Sequence, residues 1–96
     1  LKANTEQRLL KSIVKGLEEK KAHQVNILNL KKIDNAVCDY FVICHGSSTT
    51  QVGALADAVV EESLKSCAEK PIHREGLDNM LWVLLDYGNI VVHIFE

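Results

Sequence analysis

The residues best placed to do chemistry lie together in CDYFVICHGSSTTQ, positions 38–51. A strand-like run, a Gly-Ser pair and a polar lead into a helix are the parts of a phosphate-binding site. The unpaired N–H groups of a helix N-terminus attract anions. The composition of this turn argues against that use. A P-loop requires GxxxxGK[ST], whose lysine meets the phosphates, and no lysine occurs in the stretch. The dinucleotide pattern GxGxxG is absent as well, because Gly46 meets its next glycine only at Gly53. The alternative is structural. Gly46 relaxes the turn, Ser47 or Ser48 caps the helix, and Ser48 with Gln51 matches a capping box.

The same turn resembles the start of the nucleotidyltransferase motif. That chemistry needs paired carboxylates on the next strand, about ten residues on, to hold Mg²⁺. Here that distance falls at residues 56–60, inside the second helix, where Asp57 stands alone. A serine nucleophile needs a base and an orienting acid. His45 lies beside Ser47, but GxSxG is absent and no acid is placed to orient the imidazole. His93 sits in a continuously apolar strand and reads as a half-buried core histidine or a surface contact. Metal binding needs clustered donors. Cys38 and Cys44 lie at opposite ends of one strand, about 20 Å apart by strand rise. Cys67 falls among apolar helix positions, and His23, His45, His73 and His93 are spread over different elements. No catalytic residues, cofactor or metal are expected.

The elements that position these residues follow from the hydrophobic pattern. Residues 5–21 read as an amphipathic helix with Leu9, Leu10, Ile13, Val14 and Leu17 on one stripe. Asn4 is its expected N-cap. Residues 25–30, VNILNL, read as a strand whose two asparagines suggest an edge or half-exposed position. Residues 39–44 are continuously apolar after Asp39, the pattern of a strand buried on both faces. Residues 48–67 form the second helix, with Val52, Leu55, Ala56, Val59, Val60 and Leu64 as its apolar stripe. Pro71 lies beyond it. Residues 72–74 suit a short strand and 75–79 a loop. Residues 81–86 and 90–95 are two strands joined by the hairpin turn Tyr87-Gly88-Asn89. The order is α-β-β-α-β-β-β. A parallel crossover and an antiparallel hairpin give one α/β domain, a mixed sheet with two helices packed on it.

Composition narrows the function. A length of 96 residues suits a single domain, and 47% hydrophobic residues suffice for its core. A net charge of -2 argues against binding a nucleic-acid backbone, which needs a clustered positive face. Three cysteines without CxxC spacing fit reduced thiols in a cytoplasmic setting. No apolar run is long enough to span a bilayer. The chain lacks an initial Met and stops at Glu96 after a strand-like run, as a trimmed version of a longer protein would. Trp82, the single tryptophan, faces the same way as Leu84 and Asp86 by strand alternation. Two helices can leave one sheet face open. Trp82 is then either an anchor for a protein partner or core under a helix.

Taken together, CDYFVICHGSSTTQV, ALADAVVEE and HREGLDNMLWVLLDYGNIVVHIF resemble the ribosomal silencing factor, or Iojap, family. The match runs from Asp39 to Phe95 and, with the first helix, covers nearly the whole chain. The resemblance implies a nucleotidyltransferase-like fold without that catalysis. It implies binding to the large ribosomal subunit through ribosomal protein L-fourteen, and steric exclusion of the small subunit. It also implies a homodimer away from the ribosome, and in organellar relatives a role in large-subunit assembly. Carried over by position, the partner surface is Glu75, Gly76, Trp82, Leu84 and Asp86, with Asp39, Tyr87 and His93 as further candidates. Family members continue past this strand with a tail resembling R-x-x-Y-x-L-E-x-L-W. Without it, an edge strand is expected to be bare.

Overall fold

The computed structural model describes residues 2–96, with side chains from residue 5 onward. The elements follow in the expected order: α1 (Lys2–Glu19), β1 (His23–Asn29), β2 (Tyr40–His45), α2 (Thr49–Cys67), β3 (His73–Glu75), β4 (Trp82–Asp86) and β5 (Ile90–Phe95). Helix α1 starts earlier than its apolar stripe suggests. The Asn4 side chain, expected as its cap, lies outside the described residues. The helix stops at Glu19 because Lys21 takes a left-handed φ of 60° and Ala22 N–H bonds back to the Leu17 carbonyl. Strand β1 starts two residues earlier than expected and carries a bulge between His23 and Asn26, with Gln24 at φ 51°.

The strands form one sheet in the order β1-β2-β5-β4-β3. The central pair, β2 and β5, is parallel, and every other pairing is antiparallel. The chain leaves β2, crosses through α2, and enters β3 in the same direction at the far edge. It then returns through the β4–β5 hairpin to the centre. The asparagine-bearing strand β1 is an edge. Strand β5 is not: it lies between β2 and β4, and the edges of the sheet are β1 and β3.

Both helices cover the same face of the sheet. Leu9, Leu10, Ile13 and Leu17 of α1 and Val52, Leu55, Ala56 and Val59 of α2 meet Tyr40, Val42, Cys44, Val83, Leu85, Ile90, Val92 and Ile94. Each large side chain buried there contributes about 1.5–3 kcal/mol. Leu64, expected on the α2 stripe, is exposed instead. Ser63 takes the inward position, its hydroxyl bonded to the Val60 and Glu69 carbonyls. The larger correction concerns β2. Tyr40, Val42 and Cys44 are buried, whereas Phe41, Ile43 and His45 are only half-buried. Among the described residues no helix or strand covers the second face of the sheet, so continuous hydrophobicity in β2 does not mean burial on both sides.

Helix α2 ends at Ala68, which occupies the left-handed region at φ 54°, ψ 34°. Its N–H bonds to the Leu64 carbonyl and that of Glu69 to the Ser63 carbonyl, the pairing that glycine usually supports. Ala68→Gly should therefore stabilise the fold by about 1 kcal/mol, read as a higher midpoint in thermal unfolding.

Candidate partner-binding face

Strand alternation brings Trp82, Leu84 and Asp86 of β4 to the uncovered face, beside Val91, His93 and Phe95 of β5. Phe41, Ile43 and His45 of β2 continue the row, and Leu28 extends it at the β1 edge. The rings are ordered. Trp82 lies over Phe95 with centroids 5.4 Å apart and planes 13° from parallel. His93 lies 6.0 Å from Trp82 and meets Phe41 edge-on at 4.9 Å. Trp82 is 51% exposed despite these contacts. A half-exposed tryptophan on a flat apolar platform suits insertion into a protein partner.

Carboxylates rim this platform. Glu75 pairs across the sheet with Leu84, and its Oε2 lies 2.7 Å from His73 Nε2. Asp86 accepts from the Gly88 N–H at 2.7 Å, so it also holds the hairpin turn. Glu75, Gly76, Asp78, Asn79, Leu81, Trp82 and Leu84 line an open cleft of about 360 Å³. Gly76 has a φ of +82°, and a Cβ there would overlap the Trp82 carbonyl oxygen. Glycine is therefore required where the chain leaves β3 and passes against β4.

The family model described as ribosomal silencing factor during starvation matches residues 3–96. This chain belongs to the ribosomal silencing factor (RsfS) family. It is 42% identical to the RsfS of Halalkalibacterium halodurans over 91 residues, covering 94% of this chain and 75% of that protein. It is 35% identical to the RsfS of Bacillus subtilis, covering 92% of this chain and 73% of that protein. Among the crystal structures that share the fold are two relatives. One, from Bacillus halodurans, aligns with a TM-score of 0.84 at 39% identity, covering 94% of this chain and 82% of that one. The other, from Chromobacterium violaceum, aligns with a TM-score of 0.84 at 30% identity, covering 93% and 72%.

The RsfS chain does not bring all the sequence candidates to one place. Tyr87 leaves the surface: it is 7% exposed, and its hydroxyl lies 2.8 Å from Ser63 Oγ, tying the hairpin turn to α2. Asp39 lies at the other end of β2, near Glu6, Lys31 and Asn89. There a hydrogen bond to the Glu6 carboxylate raises its pKa. His93 is in the platform. Spacing missed Phe41, Ile43, Val91 and Phe95 as members of it. The one available cue is His93, which strand geometry sets on the same face as Val91 and Phe95 and opposite Ile90, Val92 and Ile94.

At the turn after Gly46, Ser47, Ser48 and Gln51 spend their polar groups internally in this RsfS chain. Ser48 Oγ accepts from the Gln51 N–H at 3.1 Å, as a cap does. The Gln51 side chain departs from a capping box. Its Oε1 accepts from the N–H and the hydroxyl of Ser47, while its Nε2 donates to the Lys20 and Lys21 carbonyls at 3.2 Å. One side chain thus caps the start of α2 and anchors the chain leaving α1. Gly46 gives room: a Cβ there would lie 2.9 Å from Val52 Cγ2. The Ser47 hydroxyl is committed to Gln51, and the His45 ring packs toward Phe95 at 5.9 Å. Burial pushes the Cys44 thiol up to about 12, which keeps it protonated at neutral pH. Among the described residues, no three His, Cys, Asp or Glu side chains converge, and no helix is long and apolar enough to cross a membrane. Gln51→Ala should lower stability by about 1–2 kcal/mol in thermal melts through these lost bonds. Millimolar ATP with Mg²⁺ should leave the melting midpoint of either chain unmoved.

Proposed function

We propose that this chain represses translation as a binding module of the bacterial cytoplasm, without turnover. In this reading the uncovered sheet face docks on the large ribosomal subunit through ribosomal protein L-fourteen and excludes the small subunit by its bulk. Trp82 is the apolar anchor, Leu84 widens the contact, and Glu75 and Asp86 meet basic side chains at the rim. Gly76 shapes the cleft beside the anchor. The observation that carries this reading is a half-exposed tryptophan on a sheet face that no helix among the described residues covers, in a member of the ribosomal silencing factor family. The energetic requirement is an affinity that competes with subunit association. The test is sedimentation of the chain with purified large subunits, followed by addition of small subunits. Co-sedimentation with fewer joined particles is expected. Co-sedimentation with undiminished joining would point instead to a role in large-subunit assembly.

A second reading is favoured by the same platform. Leu28, Phe41, Ile43 and Phe95 add partly exposed apolar area to that of Trp82, which a second copy can close when no ribosome is present. It predicts a mass that rises with concentration, and it predicts that large subunits compete with the dimer for one face.

A further inference from the structure

The Trp82 indole is held by a hydrogen bond as well as by stacking. Its Nε1–H donates to His93 Nδ1 at 3.3 Å, between rings inclined by only 23°. An accepting Nδ1 carries no proton, so the neutral imidazole has its hydrogen on Nε2. His93 Nε2 is itself buried and has no partner among the described residues. Phe41 stands edge-on to the ring, Leu84 faces it from β4 and Ile43 from β2. A second proton would therefore do two things. It would remove the acceptor that the indole uses, and it would place a charge among apolar side chains with nothing to pair it.

We propose that neutral His93 is the positioning residue for the Trp82 anchor, so that protonating His93 frees the indole and weakens docking. The proposal rests on the reading that the open face is the docking surface. The other titratable groups of the face stand further off. On β2 there is His45, packed on Phe95, and beyond it on β1 His23. On β4 there is Asp86, engaged with the turn, and beyond it on β3 the His73–Glu75 pair. Burial holds the His93 imidazole below the ordinary histidine range. The sign follows: the unfolded chain binds the proton first, so this contribution to stability is complete above about pH 6.5. It declines as pH falls toward the lowered value.

The experiment exploits the single tryptophan. Emission of the free chain is followed from about pH 8 to about pH 5. The wild-type chain should change with a midpoint below about 6.5. His93→Asn keeps an oxygen acceptor near the Nδ1 position but does not titrate, so its emission should match the neutral wild type and stay flat. His93→Phe should stay flat with a shifted spectrum, and His45→Gln should titrate as the wild type does. A constant wild-type spectrum, or a His93→Asn profile like that of the wild type, overturns the proposal. In the second arm, purified large subunits are sedimented with each chain near neutral pH. His93→Asn should bind within about 3-fold of wild type and His93→Phe about 10-fold more weakly. Equal binding by the two variants overturns the positioning role. A wild-type chain that fails to sediment overturns the docking reading instead, and the emission arm still decides whether His93 holds the indole.

Discussion

Replacing Trp82 by alanine is expected to abolish co-sedimentation with large ribosomal subunits while leaving the fold intact. Central aromatic anchors commonly contribute about 2 kcal/mol or more to binding, a loss of roughly 30-fold or greater. The fold loses much less. Trp82 is half exposed, and its contacts are the Phe95 ring and the His93 acceptor, both on the open face. The helix-covered core below β4 consists of Val83 and Leu85, which the substitution does not touch. Stability should fall by no more than about 1 kcal/mol, a modest shift in the melting midpoint. Leu64→Ala is the matched control. Leu64 is similarly exposed but belongs to α2, in the helical layer, so its removal should leave sedimentation within about 2-fold. Full binding by Trp82→Ala would move the docking surface elsewhere on the molecule.

The elements were legible where pattern and burial coincide. The spacing in α1 and α2, the three-residue turn after Asp86, and the asparagines of the β1 edge all follow from one-face amphipathicity and turn chemistry. The candidate face was only half legible for a physical reason. Phe41, Ile43, Val91 and Phe95 are as hydrophobic as the residues that alternate with them, so no period distinguishes core from platform. An interaction surface built of apolar side chains imitates a core strand until the number of covering layers is known. Tyr87 shows the converse. Its place in a turn suggests exposure, yet its hydroxyl finds Ser63 on α2, a partner 24 positions away. A capping role for Gln51 is legible in its spacing from Ser48, but its bonds to the Lys20 and Lys21 carbonyls depend on α1 ending beside α2, which no local pattern encodes.

Gly76→Ala is expected to lower stability and docking together, unlike Trp82→Ala. Two costs combine at this position. A φ of +82° disfavours any side chain by about 1–2 kcal/mol. The added Cβ would also overlap the Trp82 carbonyl oxygen, with the Trp82 carbonyl carbon 2.8 Å away. These are backbone atoms of a paired strand, so they yield only if β4 shifts. A total near 3 kcal/mol is expected, a large share of the stability of a small domain. Gly88→Ala separates the two costs. Gly88 has a φ of +91°, but a Cβ there would meet only Ile72 Cδ1 at 3.8 Å. It should therefore show the conformational cost alone, about 1–2 kcal/mol. The difference between the two variants measures how tightly the chain leaving β3 presses on the strand that carries Trp82. If Gly76→Ala unfolds no more readily than Gly88→Ala, that contact is loose, and the Trp82 backbone is not held by Gly76. If the difference is large, the expected loss of docking in Gly76→Ala follows from displacement of the Trp82 backbone, because the substitution removes no side chain from the platform.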